Sequence, residues 1–216
     1  MLAVFCSGEN WYLTEMNTVP TRPAVISAAL GSLAKKQPGL RVPGSFDGFE
    51  MAVRAILGQQ VSVAGARTLV GRLALQFGAP LRPPVLSLTR LFPTAASFAN
   101  ATVEDMRKAG ITGARGATLL AMARAIGDGA LVLELGRRIE ETLHELRKIS
   151  GIGEWTAQYI AMRALSWPDA FPHPDLGIRK ALGENNAKKI LQLAEKWRPW
   201  RAYAALHLWT NLSQKS

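Results

Sequence analysis

Residues Leu143–Leu182 read LHELRKISGIGEWTAQYIAMRALSWPDAFPHPDLGIRKAL. Ile139, Leu143, Leu146 and Ile149 recur at three- and four-residue steps, with Arg138, Glu141, Glu145 and Lys148 on the other side, so the spacing predicts an amphipathic helix. Ser150-Gly151-Ile152-Gly153 ends it, because glycine tolerates the left-handed backbone that a helix exit and tight turn require, while Ile152 between the glycines can plug the core. A helical pattern resumes at Glu154. The amides of Gly151, Gly153 and Glu154 are therefore predicted to lie at a helix N-terminus without intrahelical partners, where they form a nest able to bind an anion. A glycine turn that joins two helices without any ligand accounts for the same residues. The stretch then runs through Phe171-Pro172-His173-Pro174, whose prolines stiffen the approach to Asp175, and the pattern Leu176, Ile178, Leu182 starts another helix. On these residues alone Asp175 is an N-cap.

Composition narrows the class. The chain has 216 residues, 48% hydrophobic and 19% charged, which is enough for a folded core in one large domain or two small ones. Lys plus Arg number 26 against 16 Asp plus Glu, a net charge of +10, which favours a polyanionic partner, nucleic acid first. No apolar run is long enough to span a bilayer and no polybasic run marks a membrane surface. Cys6 is alone, which excludes an internal disulfide, a Cys-x-x-Cys redox pair and an iron–sulfur loop within the chain. His144, His173 and His207 are scattered without metal-ligand spacing. Met1–Val19 lacks the pattern of a secretory signal, and a cytoplasmic location is expected.

Around the central stretch the chain reads as helices. Thr21 is predicted to cap a helix buried through Val25, Ile26, Ala29, Leu30 and Leu33, with Lys35 and Lys36 at its end. Ser45 is predicted to cap a second helix, with Asp47 in its first turn and Phe46, Phe49, Val53, Ile56 and Leu57 on its core face. Gly58 ends that helix, Gln59 and Gln60 form a polar corner, and a third helix is predicted over 61–77. Pro80–Pro84 reads as an extended connector and marks a lobe boundary. Thr102 and Asp105 form a variant capping box; helices follow over 103–109, 113–126, 186–197 and 199–209. The fold class is all-α, with at most a small N-terminal β fragment.

These residues resemble the helix-hairpin-helix DNA glycosylases, whose signature is a hydrophobic-Gly-Ile-Gly hairpin, a Gly/Pro-rich loop and an aspartate. Leu146, Ile149, Gly151, Ile152, Gly153, Thr156 and Ala157 match the hairpin, and Asp175 falls at the aspartate. The likeness extends from Pro38, through PGLRVPGSFDGFEMAVRAILGQQVSV, to KWRPWRAYAALHLW ending at Trp209. It is greatest to the bacterial 3-methyladenine DNA glycosylase II branch. That branch often begins with a longer β-rich domain, so residues 1–37 would be a truncated N-terminal segment plus the first helix, and 38–216 a glycosylase domain of two helical lobes.

The resemblance implies roles. Asp175 would face the sugar of an extruded nucleotide in the hydrolysis of the N-glycosidic bond to an alkylated purine of the 3-methyladenine or 7-methylguanine type, leaving an abasic site. Trp155, Tyr159 and Trp209 would line the base pocket, although Trp155, Tyr159 and Met162 at i, i+4 and i+7 equally suit a core stripe. Gln60 would enter the base stack in place of the extruded nucleotide; a solvated junction residue is the alternative. The amides of Gly151, Gly153 and Glu154 would hold a DNA phosphate, assisted by a sodium or potassium ion on the carbonyls of Arg147, Ile149 and Ile152, with no other cofactor required. Trp167, Trp197 and Trp200 read as structural, and Asp169 as a surface or capping group. A lysine nucleophile, which strand-cleaving members carry two residues after the second glycine, is replaced by Trp155, so the implied enzyme is monofunctional. The implied partner is double-stranded DNA containing alkylated bases, bound by a monomer. Two readings compete: a non-catalytic helix-hairpin-helix DNA-binding module, which needs the glycines but not Asp175, and a glycosylase of different base specificity.

Overall fold

The computed structural model describes residues 30–213 except positions 38, 87 and 137. The segment 1–29, which includes most of the helix expected from Thr21, lies outside the described residues. A 3-10 helix, Gly31–Lys36, comes next and packs on the last helix, with Leu30 and Ala34 buried.

Helix α1, Gly48–Leu57, is the central element: it packs against α2 (Val63–Phe77), α4 (Gly113–Gly127) and α6 (Glu154–Arg163). Its cap corrects the expected one. Asp47, not Ser45, is the N-cap, accepting from Glu50 N at 2.8 Å. Phe46 therefore precedes the helical period and is 60% exposed, outside the core face expected for it, while Phe49, Val53, Ile56 and Leu57 are buried as predicted. Helix α2 begins at Val63 because Ser62 caps it through Gly65 N, which leaves Gln59–Val61 outside any helix.

The only sheet among the described residues is internal, not N-terminal: β1 (Pro80–Val85) pairs antiparallel with β2 (Leu88–Arg90). Residues 80–84 are extended as expected, but as a strand of this hairpin and not as a bare connector. Three prolines remove N–H donors, which suits a two-stranded ribbon with an open edge.

The capping box is present: Thr102 Oγ1 accepts from Asp105 N at 3.2 Å, and the Asp105 carboxylate accepts from Thr102 N at 3.0 Å, opening α3 (Val103–Lys108). The Thr102 hydroxyl also donates to that carboxylate at 2.7 Å, and together with the Thr102 N–H it holds the Asp105 carboxyl down to about 2. Helix α5 (Ile139–Lys148) packs on α6 across the glycine turn, with Leu143, Leu146, Ile149 and Ile152 buried as the pattern predicted. Helix α7 (Leu176–Leu182) packs on α9 (Arg201–Ser213), and α8 (Ala187–Ala194), capped by Asn186, lies between them in sequence. The result is a mostly helical, two-lobed fold with one small β-hairpin.

Candidate functional site

Asp175 is the N-cap of α7, and its Oδ1 accepts from Ile178 N at 3.0 Å. Two further donors come from distant helices. Trp209 on α9 donates its indole Nε1–H to Oδ1 at 2.8 Å, and Trp155 on α6 donates its own to Oδ2 at 2.8 Å. Both carboxylate oxygens are thus fixed by N–H groups, an arrangement suited to an acceptor-only ionised side chain. Gly177 permits the approach of Trp209: a Cβ there would lie 3.0 Å from both Asp175 Oδ1 and Trp209 Cδ1.

The loop that delivers Asp175 is tied at two points, Phe171 and Asp169. Gln158 on α6 accepts from Phe171 N at 2.9 Å through its side-chain oxygen. Asp169, expected at the surface, is instead 5% exposed and receives two hydrogen bonds from Arg201 at 2.8 Å and one from Arg198. Its charge is compensated there, as burial of a carboxylate requires, and it clamps the loop to the start of the helix that carries Trp209.

The aromatic residues gather beside the carboxylate. Trp155 and Tyr159 stack with centroids 5.1 Å apart, and Tyr159 lies 6.3 Å from Trp209. Arg163 holds Tyr159, donating to its hydroxyl at 2.9 Å and to the Pro43 carbonyl at 2.7 Å. Met162 does not join them: it is 1% exposed, beneath Trp167 and Tyr203, because the loop after α6 and the start of α9 cover the helix's last turn. Trp197 is buried edge-on to Phe171, and Trp200 packs on Tyr203, as structural residues would.

At the turn, Gly151 has φ +91° and a Cβ there would overlap Thr118 Oγ1, so the fold requires glycine. Gly153 differs. Its φ of −87° suits any residue and a Cβ would meet nothing within 4 Å, so packing does not demand glycine there. It is the N-cap of α6 with no side-chain cap, which leaves the first-turn amides available. The Glu154 side chain turns back to Arg147, at 2.8 and 3.0 Å, and accepts from Gln158 at 2.9 Å. Burial pulls the Glu154 carboxyl upward, but these hydrogen bonds outweigh it and the net direction is down. The Ile149 carbonyl already accepts from Ile152 N at 3.0 Å and keeps a second lone pair, so it stays chemically able to meet a monovalent cation; Arg147 lies in the last turn of α5 and Ile152 in the glycine turn. Among the described residues no cluster of His, Cys, Asp or Glu suits a metal, and no helix is long and apolar enough to cross a membrane. Gln60 is exposed at the corner between α1 and α2 with φ +54°.

A helical two-lobed fold, a Gly-Ile-Gly turn between α5 and α6 and an aspartate opening α7 together define a helix-hairpin-helix glycosylase architecture. The chain belongs to the HhH-GPD superfamily of base excision DNA repair proteins, whose profile matches residues 53–199. It is 38% identical over 189 residues to DNA-3-methyladenine glycosylase 2 of Escherichia coli (strain K12), covering 87% of this chain and 66% of that protein. It is 40% identical over 200 residues to a probable bifunctional transcriptional activator/DNA repair enzyme AlkA of Mycobacterium tuberculosis (strain H37Rv), covering 88% of this chain but 40% of that one. The chain therefore spans between two fifths and two thirds of these relatives. In fold it is similar to the 3-methyladenine DNA-glycosylase from Archaeoglobus fulgidus, with a TM-score of 0.71 at 22% identity over 90% of this chain and 71% of that one.

Proposed function

We propose that this chain is a monofunctional DNA glycosylase that hydrolyses the N-glycosidic bond of alkylated purines in double-stranded DNA, of the 3-methyladenine and 7-methylguanine type, leaving an abasic site. The observation that carries this reading is the Asp175 carboxylate fixed by two indole N–H groups at 2.8 Å beside the stacked pair Trp155–Tyr159.

A purine methylated at N3 or N7 is cationic, and aromatic faces attract it where they hold a neutral base less well. As the bond from C1′ to the base nitrogen breaks, its electron pair returns to the ring, and the alkylated base leaves neutral without needing a proton. Positive charge develops on the sugar. The fixed carboxylate of Asp175 stabilises that charge without reorganising, and it orients the water whose oxygen adds to C1′ while its proton passes to the carboxylate or solvent. Hydrolysis, not strand cleavage, follows from Trp155, since indole cannot form an imine with the sugar. Around the reaction, the open amides at Gly153 and Glu154 suit a DNA phosphate, and a sodium or potassium ion held by the carbonyls of Arg147, Ile149 and Ile152 would add positive charge there. Exposed Gln60 is a polar side chain able to fill the gap in the stack and to hydrogen-bond the abandoned partner base.

Methylated duplex DNA incubated with the protein and analysed by chromatography should release free 3-methyladenine or 7-methylguanine. DNA binding without release of any free base would leave the non-catalytic binding module as the reading.

A further inference from the structure

We propose that Gln59 and Arg115 are positioning residues that lock the Gln60 corner and the glycine hairpin into one rigid unit, so that the base stack and the phosphate backbone are engaged in fixed register. The inference rests on the glycosylase reading above and adds residues that are absent from its chemistry.

Four hydrogen bonds between residues far apart in sequence close a ring of three ties. Gln59 Nε2 donates to the Gly151 carbonyl at 3.1 Å and to Thr156 Oγ1 at 2.7 Å, spanning the hairpin from its turn to the first turn of α6. Only an amide nitrogen can donate to a carbonyl, so the orientation of this side chain follows from its partner. Arg115 on α4 donates to the Gln59 carbonyl. One turn along the same face of α4, Thr118 Oγ1 donates to the Ser150 carbonyl at 2.9 Å. Corner to hairpin, corner to α4 and hairpin to α4 are each tied.

The ring bears on the residue that matters. Gln60 is a non-glycine residue at φ +54°, a conformation that persists where the surroundings hold it. The Gln59 carbonyl belongs to the peptide unit that enters Gln60, so the Arg115 guanidinium fixes the plane from which that left-handed backbone departs. On the hairpin side, Thr118 packs where a Cβ of Gly151 would be, which seats the turn at φ +91°. Without the tie, insertion at the corner and phosphate binding at the hairpin would each have to order their own segment on binding, and affinity for a distorted duplex would fall by that ordering.

The test uses Gln59→Met, which keeps length and removes the donor, with Arg115→Met as a second variant should the first fail to fold. Hydrogen exchange of the two hydrogen-bonded amides that close the turn, Ile152 N on the Ile149 carbonyl and Ala157 N on the Gly153 carbonyl, should quicken in Gln59→Met, whatever the protein's activity. Binding is then read on two duplexes, one undamaged and one containing a tetrahydrofuran abasic analogue. Preference for the second should fall about tenfold in Gln59→Met, the loss of two ordinary hydrogen bonds. In Gln60→Ala the added Gln59→Met should cost less than about threefold more, since the two act through one element. Equal weakening on both duplexes, or losses that multiply independently in the double variant, would assign Gln59 a structural role and overturn the proposal. Unchanged exchange overturns the tie itself, whereas a wild-type protein with no preference for the abasic duplex fails the glycosylase reading on which the register depends.

Discussion

The indole Nε1 of Trp155 lies 2.8 Å from Oδ2 of Asp175, so the aromatic that stacks on Tyr159 also aims the carboxylate. This changes what replacing the acid by its amide does. In Asp175→Asn one oxygen can still accept from Ile178 N and Trp209, and Asn caps helices as well as Asp does. The new NH2 group would instead face the Trp155 N–H, donor against donor, leaving a part-buried group unpaired at about 1–3 kcal/mol. Base release should fall at least about a hundredfold, roughly 2.7 kcal/mol of barrier, with binding to abasic-analogue DNA retained. A rate within about threefold of wild type in single-turnover base release would remove Asp175 from the reaction.

Trp155→Phe separates the two duties of that indole. A phenyl ring keeps an aromatic face against Tyr159 but donates nothing to Asp175. A hydrogen bond to a charged group is worth about 1.5–3 kcal/mol, so kcat should drop roughly ten- to hundredfold while KM moves little. A rise in KM at constant kcat would instead assign Trp155 to base binding alone.

The two hairpin glycines should respond differently. Gly151→Ala places a Cβ against Thr118 and forces an L-residue to φ +91°, so unfolding free energy should fall by about 1–3 kcal/mol in urea titrations. Gly153→Val meets open space at φ −87° and should still fold, losing only the roughly 1 kcal/mol of a poorer N-cap, yet weaken binding to damaged and undamaged DNA alike and reduce its salt dependence. Unchanged affinity and salt slope in the folded Gly153→Val protein would make the hairpin a turn only.

Stability should depend on pH through two histidines, His207 in the core and the half-buried His173. Burial pushes His207 below its ordinary 6.5, and it pushes His173 the same way against an opposing pull from Glu154. The folded protein then binds fewer protons than the unfolded chain below pH 6.5, so stability is full above that value and is lost as pH falls toward the folded pKa values. Urea midpoints measured at about pH 7.5 and 5.5, above the range where carboxylates titrate, should show the decline, and His207→Gln should make it shallower. An identical decline in the variant would exclude His207 as a source.

Reaction type can be tested by trapping. Incubation with lesion DNA and borohydride should yield base release without a covalent complex and without a nick before alkali treatment. Efficient trapping that survives blocking of the N-terminal amine would overturn hydrolysis by water.

Most of the helical order was legible because it rests on local physics. The three- and four-residue spacing of Leu143, Leu146 and Ile149, the glycine stop at 151–153, the Thr102–Asp105 box and the cap at Asp175 each involve residues within a turn or two of one another. Errors arose where two local solutions competed. Ser45 and Asp47 could both cap α1, and the side chain that reached Glu50 N prevailed, which placed Phe46 outside the helix. The prolines at 80–84 forbid helix in either reading, but nothing local said that Leu88–Arg90 would pair with them.

The sequence by itself determined the succession of helices, the Gly-Ile-Gly turn, the aspartate opening α7 and the basic charge suited to DNA, since propensity, periodicity and charge are properties of neighbours and sums. Only the tertiary structure decided that Trp155 and Trp209, 20 and 34 residues from Asp175, share its two oxygens, that Asp169 is buried under Arg198 and Arg201, and that Gln59 reaches Gly151 across 92 residues. Those contacts form when packed helices bring remote side chains within 3 Å or so, and a hydrogen bond of that length leaves no periodic mark in the sequence.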